Sequence, residues 1–163
     1  MLRLARTRGH DPRVERAVGR FSQLGEHGAL WLAIGLVGAA LHPERRSAWG
    51  RATGIVAGTY LANFAVKLIV RRRRPELDGL PPLAGTPTPL SFPSAHASTS
   101  FAGARAYSRL GLPSAALHGL AASLALSRVY LGVHYPSDVL AGALLGDAVA
   151  RLAASDARGE AGR

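Results

Sequence analysis

The sequence predicts an all-α protein: a polytopic membrane helix bundle of about five transmembrane helices with an amphipathic surface helix at the N-terminus. The chain has 163 residues, the size of a single domain, and only 18% of them are charged. Acidic and basic residues are absent from positions 28–42 and 53–66, and Arg105 and Arg109 are the only ones from 79 to 127. Several such stretches, rich in Gly, Ala and Ser, are typical of transmembrane helices that pack through small residues.

The first 23 residues form an amphipathic segment that contains the predicted surface helix. Asp11 can cap a helix whose first residue is Pro12. Apolar residues then recur at helical spacing from Val14 to Leu24, opposite a series of arginines. This pattern predicts an amphipathic helix on an anionic membrane surface.

The remaining chain is interpreted as one membrane domain, so that a single domain occupies 1–163. Within it, 1–23 is the amphipathic segment, 24–153 the helix bundle and 154–163 a polar tail. The predicted spans are approximately 24–41, 51–70, 94–109, 113–130 and 136–152. Six prolines lie in 75–93, which predicts a loop long enough to have a functional role.

The net charge of +10 is compatible with either nucleic-acid binding or membrane anchoring. The four consecutive arginines at 71–74 directly follow an apolar segment, where basic residues usually anchor a helix at the membrane surface. Aromatic residues that could stack on bases are not interleaved with them. We therefore expect membrane lipids, and no nucleic acid, as partners. The absence of cysteine excludes disulfides and thiol catalysis.

Three separated polar clusters lie at the ends of predicted spans. They are Lys67 with Arg74-Pro75, then Pro93-Ser94-Ala95-His96, then Ser127-Arg128 with His134 and Asp138. Because alternate helices of an antiparallel bundle begin and end on the same side, all three clusters should meet at one membrane face. Ionisable groups inside a membrane are costly and are functional candidates. Cations with two histidines and a carboxylate suit phosphate binding and transfer through a histidine.

Taken singly, these residues have simpler explanations. Lys67 could extend to the membrane interface, and Asp138 could only cap a helix. The other histidines, His10, His27, His42 and His118, are expected to be structural. The combination of clusters is what favours a phosphate site.

The order and spacing of the clusters resemble the three-part signature of the type 2 phosphatidic acid phosphatase family, which includes the vanadium haloperoxidases. The similarity covers residues 67–138. Ala95 stands where the family usually has glycine, and its methyl group restricts φ and narrows the space beside the phosphate.

This resemblance implies a role for each matching residue. Lys67, Arg74 and Arg128 would neutralise phosphate oxygens, and Ser94 and the Ala95 N–H would donate further hydrogen bonds. His134 would be the nucleophile, oriented by Asp138, and His96 would protonate the leaving oxygen and later activate water. We expect no cofactor and no metal, because three cationic side chains can balance the phosphate charge.

The expected activity is therefore a metal-independent lipid phosphatase of the plasma (inner) membrane, with its active site on the cytoplasmic face. The composition and the PSAH motif are similar to those of small actinobacterial family members that act on decaprenylphosphoryl-5-phosphoribose in cell-wall arabinan synthesis. Undecaprenyl pyrophosphate, phosphatidylglycerophosphate and phosphatidic acid are alternative substrates. A non-catalytic basic membrane scaffold is the alternative from another functional class.

Overall fold

The computed structural model describes residues 2–7 and 10–161, and no β-strand occurs within these ranges. Seven α-helices follow one another along the chain: α1 (Leu2–Thr7), α2 (Pro12–Gln23), α3 (Ala29–Leu41), α4 (Arg46–Val70), α5 (Ala95–Ser108), α6 (Ser114–Tyr130) and α7 (Pro136–Ala161). Short 3₁₀ turns, Glu26–Gly28 and Pro43–Arg45, precede α3 and α4. The all-α prediction is confirmed.

The predicted N-terminal helix is present as α2. The side chain of Asp11 caps it by accepting a hydrogen bond from the backbone N–H of Arg13 at 2.7 Å. At the other end of the chain, α7 continues to Ala161 through most of the segment predicted as a polar tail. Alanine, arginine and glutamate in that segment favour helix, so polarity alone did not indicate where the helix ends.

Helix α5 lies at the centre of the bundle, packed against α4, α6 and α7. Gly142 and Gly146, one helical turn apart on α7, face the backbone of α5 at Ser94 and Ser98. A Cβ atom at either glycine would collide with a carbonyl oxygen of α5. These small residues therefore let the two helix backbones approach closely, as the Gly-rich composition predicts.

An aromatic cluster fills the core between α3, α4 and α5. Trp31 and Tyr107 are fully buried and Trp49 is nearly so. The indole N–H of Trp31 donates to Ser100 Oγ at 2.9 Å, and the Tyr107 hydroxyl donates to the Trp31 carbonyl at 2.7 Å. These bonds satisfy the polar ends of the Trp31 and Tyr107 rings, whereas the buried indole N–H of Trp49 has no partner among the described residues.

The outer surface of the bundle is apolar. Large hydrophobic side chains are exposed on six of the described helices, and they include Leu36, Leu61, Ile69, Leu126, Leu140 and Leu144. By length and composition, one helical segment of the described chain, Pro43–Val70, could cross a membrane. The bent pair formed by α2 and the segment Glu26–Leu41 would make a second.

The loop between α4 and α5 folds back across the end of the bundle. Arg73 and Leu90 form an antiparallel bridge, and the N–H of Ser91 donates to the carbonyl of Arg72 at 2.8 Å. The N–H of Arg74 donates to the carbonyl of Pro89 at 3.1 Å. These bonds fix the backbone of Arg74 where the loop meets the helix ends.

Candidate functional site

A pocket of about 80 Å³ opens where α4, α5 and α6 present the ends that carry the polar clusters. Six of the eight predicted site residues line it: Lys67, Arg74, Ala95, His96, Arg128 and His134. The other two, Ser94 and Asp138, are fully buried and are not among its lining residues. The structure thus gathers residues from all three sequence clusters at one end of the bundle.

Lys67 lies in the last turn of α4 and is 5% exposed. Its ammonium group donates to the carbonyl of Pro93 at 2.9 Å and to that of Leu90 at 3.2 Å. These contacts hold the lysine against the loop that leads into α5. Lys67 therefore does not extend to the membrane interface, because its side chain is buried within the protein.

Arg74 is held by two backbone carbonyls from different segments of the chain. Its Nε donates to Thr88 at 2.8 Å, and one terminal nitrogen donates to Val133 at 2.8 Å. Burial lowers the pKa of Arg74 to about 10, so it stays cationic at neutral pH. The same terminal nitrogen lies 3.2 Å from Nε2 of His134.

Arg128 occupies the last turn of α6 and is 6% exposed. One terminal nitrogen donates to the hydroxyl of Ser22 at 2.7 Å, while the buried Nε has no hydrogen-bond partner among the described residues. A buried guanidinium N–H without a partner is costly. An oxyanion in the pocket is the kind of acceptor that would satisfy it.

The N-terminus of α5 faces the pocket. Ser94 caps the helix by accepting from the N–H of Ala97 at 3.5 Å, and its own N–H donates to the carbonyl of Asp138 at 2.9 Å. Ala95, the first residue of α5, lines the pocket. The unpaired N–H groups and the dipole of a helix N-terminus favour an anion at this position.

His96 is 7% exposed, and its Nε2 lies 3.0 Å from the carbonyl oxygen of Ser22. Because a carbonyl only accepts hydrogen bonds, Nε2 carries a proton. This contact fixes the ring orientation and leaves Nδ1 available for proton exchange. Helix α2 therefore contributes to the site through Ser22, which contacts both His96 and Arg128.

His134 lies in the short connection between α6 and α7 and is 3% exposed. Because Arg74 can only donate, Nε2 of His134 is the accepting, unprotonated nitrogen. Its Nδ1 lies 3.5 Å from Oδ2 of Asp138, an ion-pair distance longer than a hydrogen bond. Burial lowers the pKa of His134 to about 4, although the contact with Asp138 acts in the opposite direction. The ring is neutral at pH 7.

The carboxylate of Asp138 has partners other than histidine. Its Oδ2 accepts the N–H of Tyr135 at 2.9 Å, and its Oδ1 accepts from Arg72 at 3.0 Å. The Arg72 guanidinium also lies over the Tyr135 ring, 3.9 Å from its centroid, and donates to the Ser137 hydroxyl at 2.8 Å. Arg72 is one of the arginines that the sequence predicted to be membrane anchors.

On the turn before α3 and on α4, sequence reasoning also missed four polar residues that line the pocket: Glu26, His27, Tyr60 and Asn63. His27 was expected to be structural only. The spacing of Tyr60, Asn63 and Lys67 at i, i+3 and i+7 on one helix was the available signal for two of the four. The position of Glu26 and His27 depends on a turn between helices and has no sequence signature.

Comparison with known proteins identifies a family and several similar chains. A family model described as the PAP2 superfamily matches residues 48–159. The chain is 42% identical over 135 residues to a decaprenylphosphoryl-5-phosphoribose phosphatase of Mycolicibacterium smegmatis. The match covers 80% of this chain and 72% of that protein.

Two solved structures have a similar fold. LpxE of Aquifex aeolicus superposes with a TM-score of 0.79 over 94% of this chain and 92% of that chain, at 24% identity. A transmembrane PAP2-type phosphatidylglycerolphosphate phosphatase from Bacillus subtilis gives a TM-score of 0.73 over 96% and 82% of the two chains, at 21% identity. At these identities the comparison concerns the fold alone.

Proposed function

The chain belongs to the PAP2 superfamily, and from that premise we propose that it removes the 5-phosphate from decaprenylphosphoryl-5-phosphoribose through a phosphohistidine. It is a phosphoric monoester hydrolase. One observation supports this reaction most directly. A single pocket contains three cationic side chains and two histidines, of which His96 carries a proton on Nε2 and His134 does not.

His134 is the proposed nucleophile. Its unprotonated Nε2 attacks phosphorus in line with the ester oxygen that leaves, and a P–N bond forms as the P–O bond breaks. Asp138 keeps the proton on Nδ1 and stabilises the positive charge that the ring acquires. The low pKa of His134 keeps the ring neutral before the attack.

His96 is the proposed acid and base. With Nε2–H donated to Ser22, the ring exchanges protons through Nδ1. In the ring protonated at both nitrogens, the Nδ1 proton passes to the leaving sugar oxygen and the ring becomes neutral. Nδ1 then takes a proton from the water that attacks the phosphohistidine, which releases phosphate and restores His134.

Lys67, Arg74 and Arg128 would stabilise the three equatorial oxygens of the transferring phosphoryl group. The N–H of Ala95 adds a donor at the start of α5. Ser94 can also donate, because its hydroxyl accepts from Ala97 and retains its own proton. We propose that the reaction needs no metal ion or other cofactor.

The identity of the substrate is inferred from the named relatives. Decaprenylphosphoryl-5-phosphoribose carries a phosphomonoester on its ribose, and its lipid tail remains in the bilayer. Phe64, which is 43% exposed on the outer side of α4, lines the same pocket. An opening beside an exposed apolar residue suits a lipid-linked phosphate.

We further propose that the protein is a multi-pass protein of the plasma membrane in which α3 to α7 cross the bilayer and residues 24–153 form the bundle. With α2 on the cytoplasmic surface, five crossings put the ends of α4 and α6 on the cytoplasmic side. The arginines of residues 1–23 and 71–73 favour this orientation by the positive-inside rule.

Phosphate release by the purified protein in detergent tests the activity. The substrates are decaprenylphosphoryl-5-phosphoribose, undecaprenyl pyrophosphate, phosphatidylglycerophosphate and phosphatidic acid. We expect the highest kcat/KM with the phosphoribosyl lipid. A preference for another lipid would replace the proposed substrate, and no hydrolysis of any of them would favour a non-catalytic scaffold.

A further inference from the structure

Part of the pocket lining is polar but lies outside the set of cations and histidines assigned to phosphate transfer. Glu26 and His27 belong to the 3₁₀ turn before α3, and Tyr60 belongs to the middle of α4. The Nδ1 atom of His27 lies 2.8 Å from the Tyr60 hydroxyl. We call these three residues the turn cluster.

The turn cluster lies beyond the phosphate-binding residues along α4. Tyr60 precedes Lys67 by seven residues, which is about 10 Å of helix, and Asn63 lies on the same face between them. The pocket therefore extends from the cationic end of the bundle towards its interior. A substrate whose phosphate binds at Lys67 has room to extend towards Tyr60 within the same pocket.

Glu26 makes the charge of this region distinctive. It is half-buried and interacts electrostatically with Arg128, although it forms no direct ion pair with the described side chains. A carboxylate repels a phosphate dianion, so its presence beside Lys67, Arg74 and Arg128 weakens binding of the phosphate itself. A carboxylate is, however, a strong acceptor for hydroxyl groups. This chemistry fits the uncharged, hydroxyl-bearing part of a substrate next to its phosphate.

The backbone of the turn is held in an unusual conformation. His27 has φ 51° and Gly28 has φ 72°, both in the left-handed region. A non-glycine residue in that region costs free energy and persists only where its surroundings fix it. A Cβ at Gly25 would lie 2.8 Å from the His96 ring, so the turn is packed tightly against the proposed acid. The contact is with the Cδ2–Nε2 edge of that ring, and the three residues of the turn cluster line the same pocket as His96.

We propose that Glu26, His27 and Tyr60 bind the sugar hydroxyls of the substrate, so that the enzyme selects a phosphorylated sugar over a phosphate on a carrier without hydroxyls. The inference rests on the proposed function, since it names the part of the substrate that the same pocket recognises. Glu26 accepts from the adjacent hydroxyls at C2 and C3 of a ribose. The paired His27 and Tyr60 supply a further acceptor and donor.

The test compares two substrates in one assay: the lipid-linked ribose 5-phosphate and its analogue without the C2 and C3 hydroxyls. Wild-type protein should show a higher kcat/KM for the hydroxylated substrate. The ratio of the two kcat/KM values, hydroxylated substrate over analogue, should fall about 10- to 100-fold in Glu26→Gln. This is the loss expected for hydrogen bonds to a charged acceptor. Tyr60→Phe, which removes one oxygen at nearly constant volume, should reduce the ratio less.

Glu44→Gln is the matched control, because Glu44 lies in the other 3₁₀ turn beside His42 and is exposed. It should leave the ratio unchanged. Equal losses with both substrates in Glu26→Gln would indicate a structural effect and overturn the inference. So would a wild-type enzyme that does not distinguish the substrates, or variants that keep the wild-type ratio. If the wild-type protein hydrolyses neither substrate, the proposed function fails as well.

Discussion

A terminal nitrogen of Arg72 lies 3.0 Å from Oδ1 of Asp138, and Oδ2 of the same carboxylate lies 3.5 Å from Nδ1 of His134. The carboxylate is therefore held between a cation and the proposed nucleophile. Arg72 is itself fixed by Tyr135 and Ser137, which flank the same site. This arrangement makes Arg72 a positioning residue for the aspartate, although it does not line the pocket.

Replacement of Arg72 by glutamine should lower kcat about tenfold and change KM little. Without the cation, Asp138 loses one of its hydrogen bonds and holds the His134 ring less firmly, while the phosphate-binding side chains remain. Steady-state kinetics with the phosphoribosyl lipid measures this. Arg71→Gln is the control, because Arg71 is exposed and its side chain bonds only to the carbonyl of Leu68 among the described residues. Equal losses in both variants would contradict the assignment.

His134→Ala should abolish formation of the phosphoenzyme and reduce turnover by roughly a thousandfold or more, since it removes the attacking nitrogen. Labelled substrate, quenched in alkali to preserve phosphohistidine, reveals the intermediate by mass spectrometry. His118→Ala should retain both the intermediate and turnover, because His118 lies near the start of α6 and bonds to Ser114. A folded His134→Ala protein with wild-type turnover would exclude His134 as nucleophile.

Orthovanadate should inhibit competitively, and activity should persist in chelator. Vanadate adopts the trigonal-bipyramidal geometry of the phosphoryl transition state, and Lys67, Arg74 and Arg128 can bind its equatorial oxygens. Inhibition constants and activity after dialysis against EDTA measure these two properties. Loss of activity in EDTA that magnesium restores would require a metal site.

Acidification should destabilise the protein partly through His134. Its pKa is lowered to about 4 from an ordinary value near 6.5, so the unfolded chain binds the proton more readily. The contribution of neutral His134 to the free energy of unfolding is complete above pH 6.5 and is lost as the pH falls towards 4. At pH 5 the loss is about 2 kcal/mol. Thermal midpoints at pH 7 and pH 5 should differ more for the wild type than for His134→Asn. Parallel changes in both proteins would contradict the predicted shift.

A cysteine in the loop between α4 and α5 tests the orientation. Asp78 is exposed and has an ordinary backbone conformation, whereas the adjacent Gly79 has φ 74° and would be strained by a side chain. In the otherwise cysteine-free protein, Asp78→Cys should react with an impermeant maleimide only after the cells are opened. Labelling in intact cells would place the loop outside and overturn the proposed cytoplasmic active site.

The sequence by itself determined the all-α class, the family and the gathering of the polar clusters at one end of the bundle. Lys67 and Arg128 each lie in the last turn of an apolar helix, so helix direction alone predicts that they meet. Helical periodicity and the positions of prolines carry this information locally. For the same reason, the capping of α2 by Asp11 was predictable.

Only the tertiary structure decided the roles of residues brought in from other segments. Arg72 was indistinguishable from its neighbours in the basic run until the loop placed it against Asp138. Ser22 contacts His96 and Arg128 from a helix more than 70 residues earlier in the chain. Glu26 and His27 reach the pocket through a turn whose conformation depends on packing against α5. Such contacts arise from long-range packing, which short-range sequence patterns do not encode.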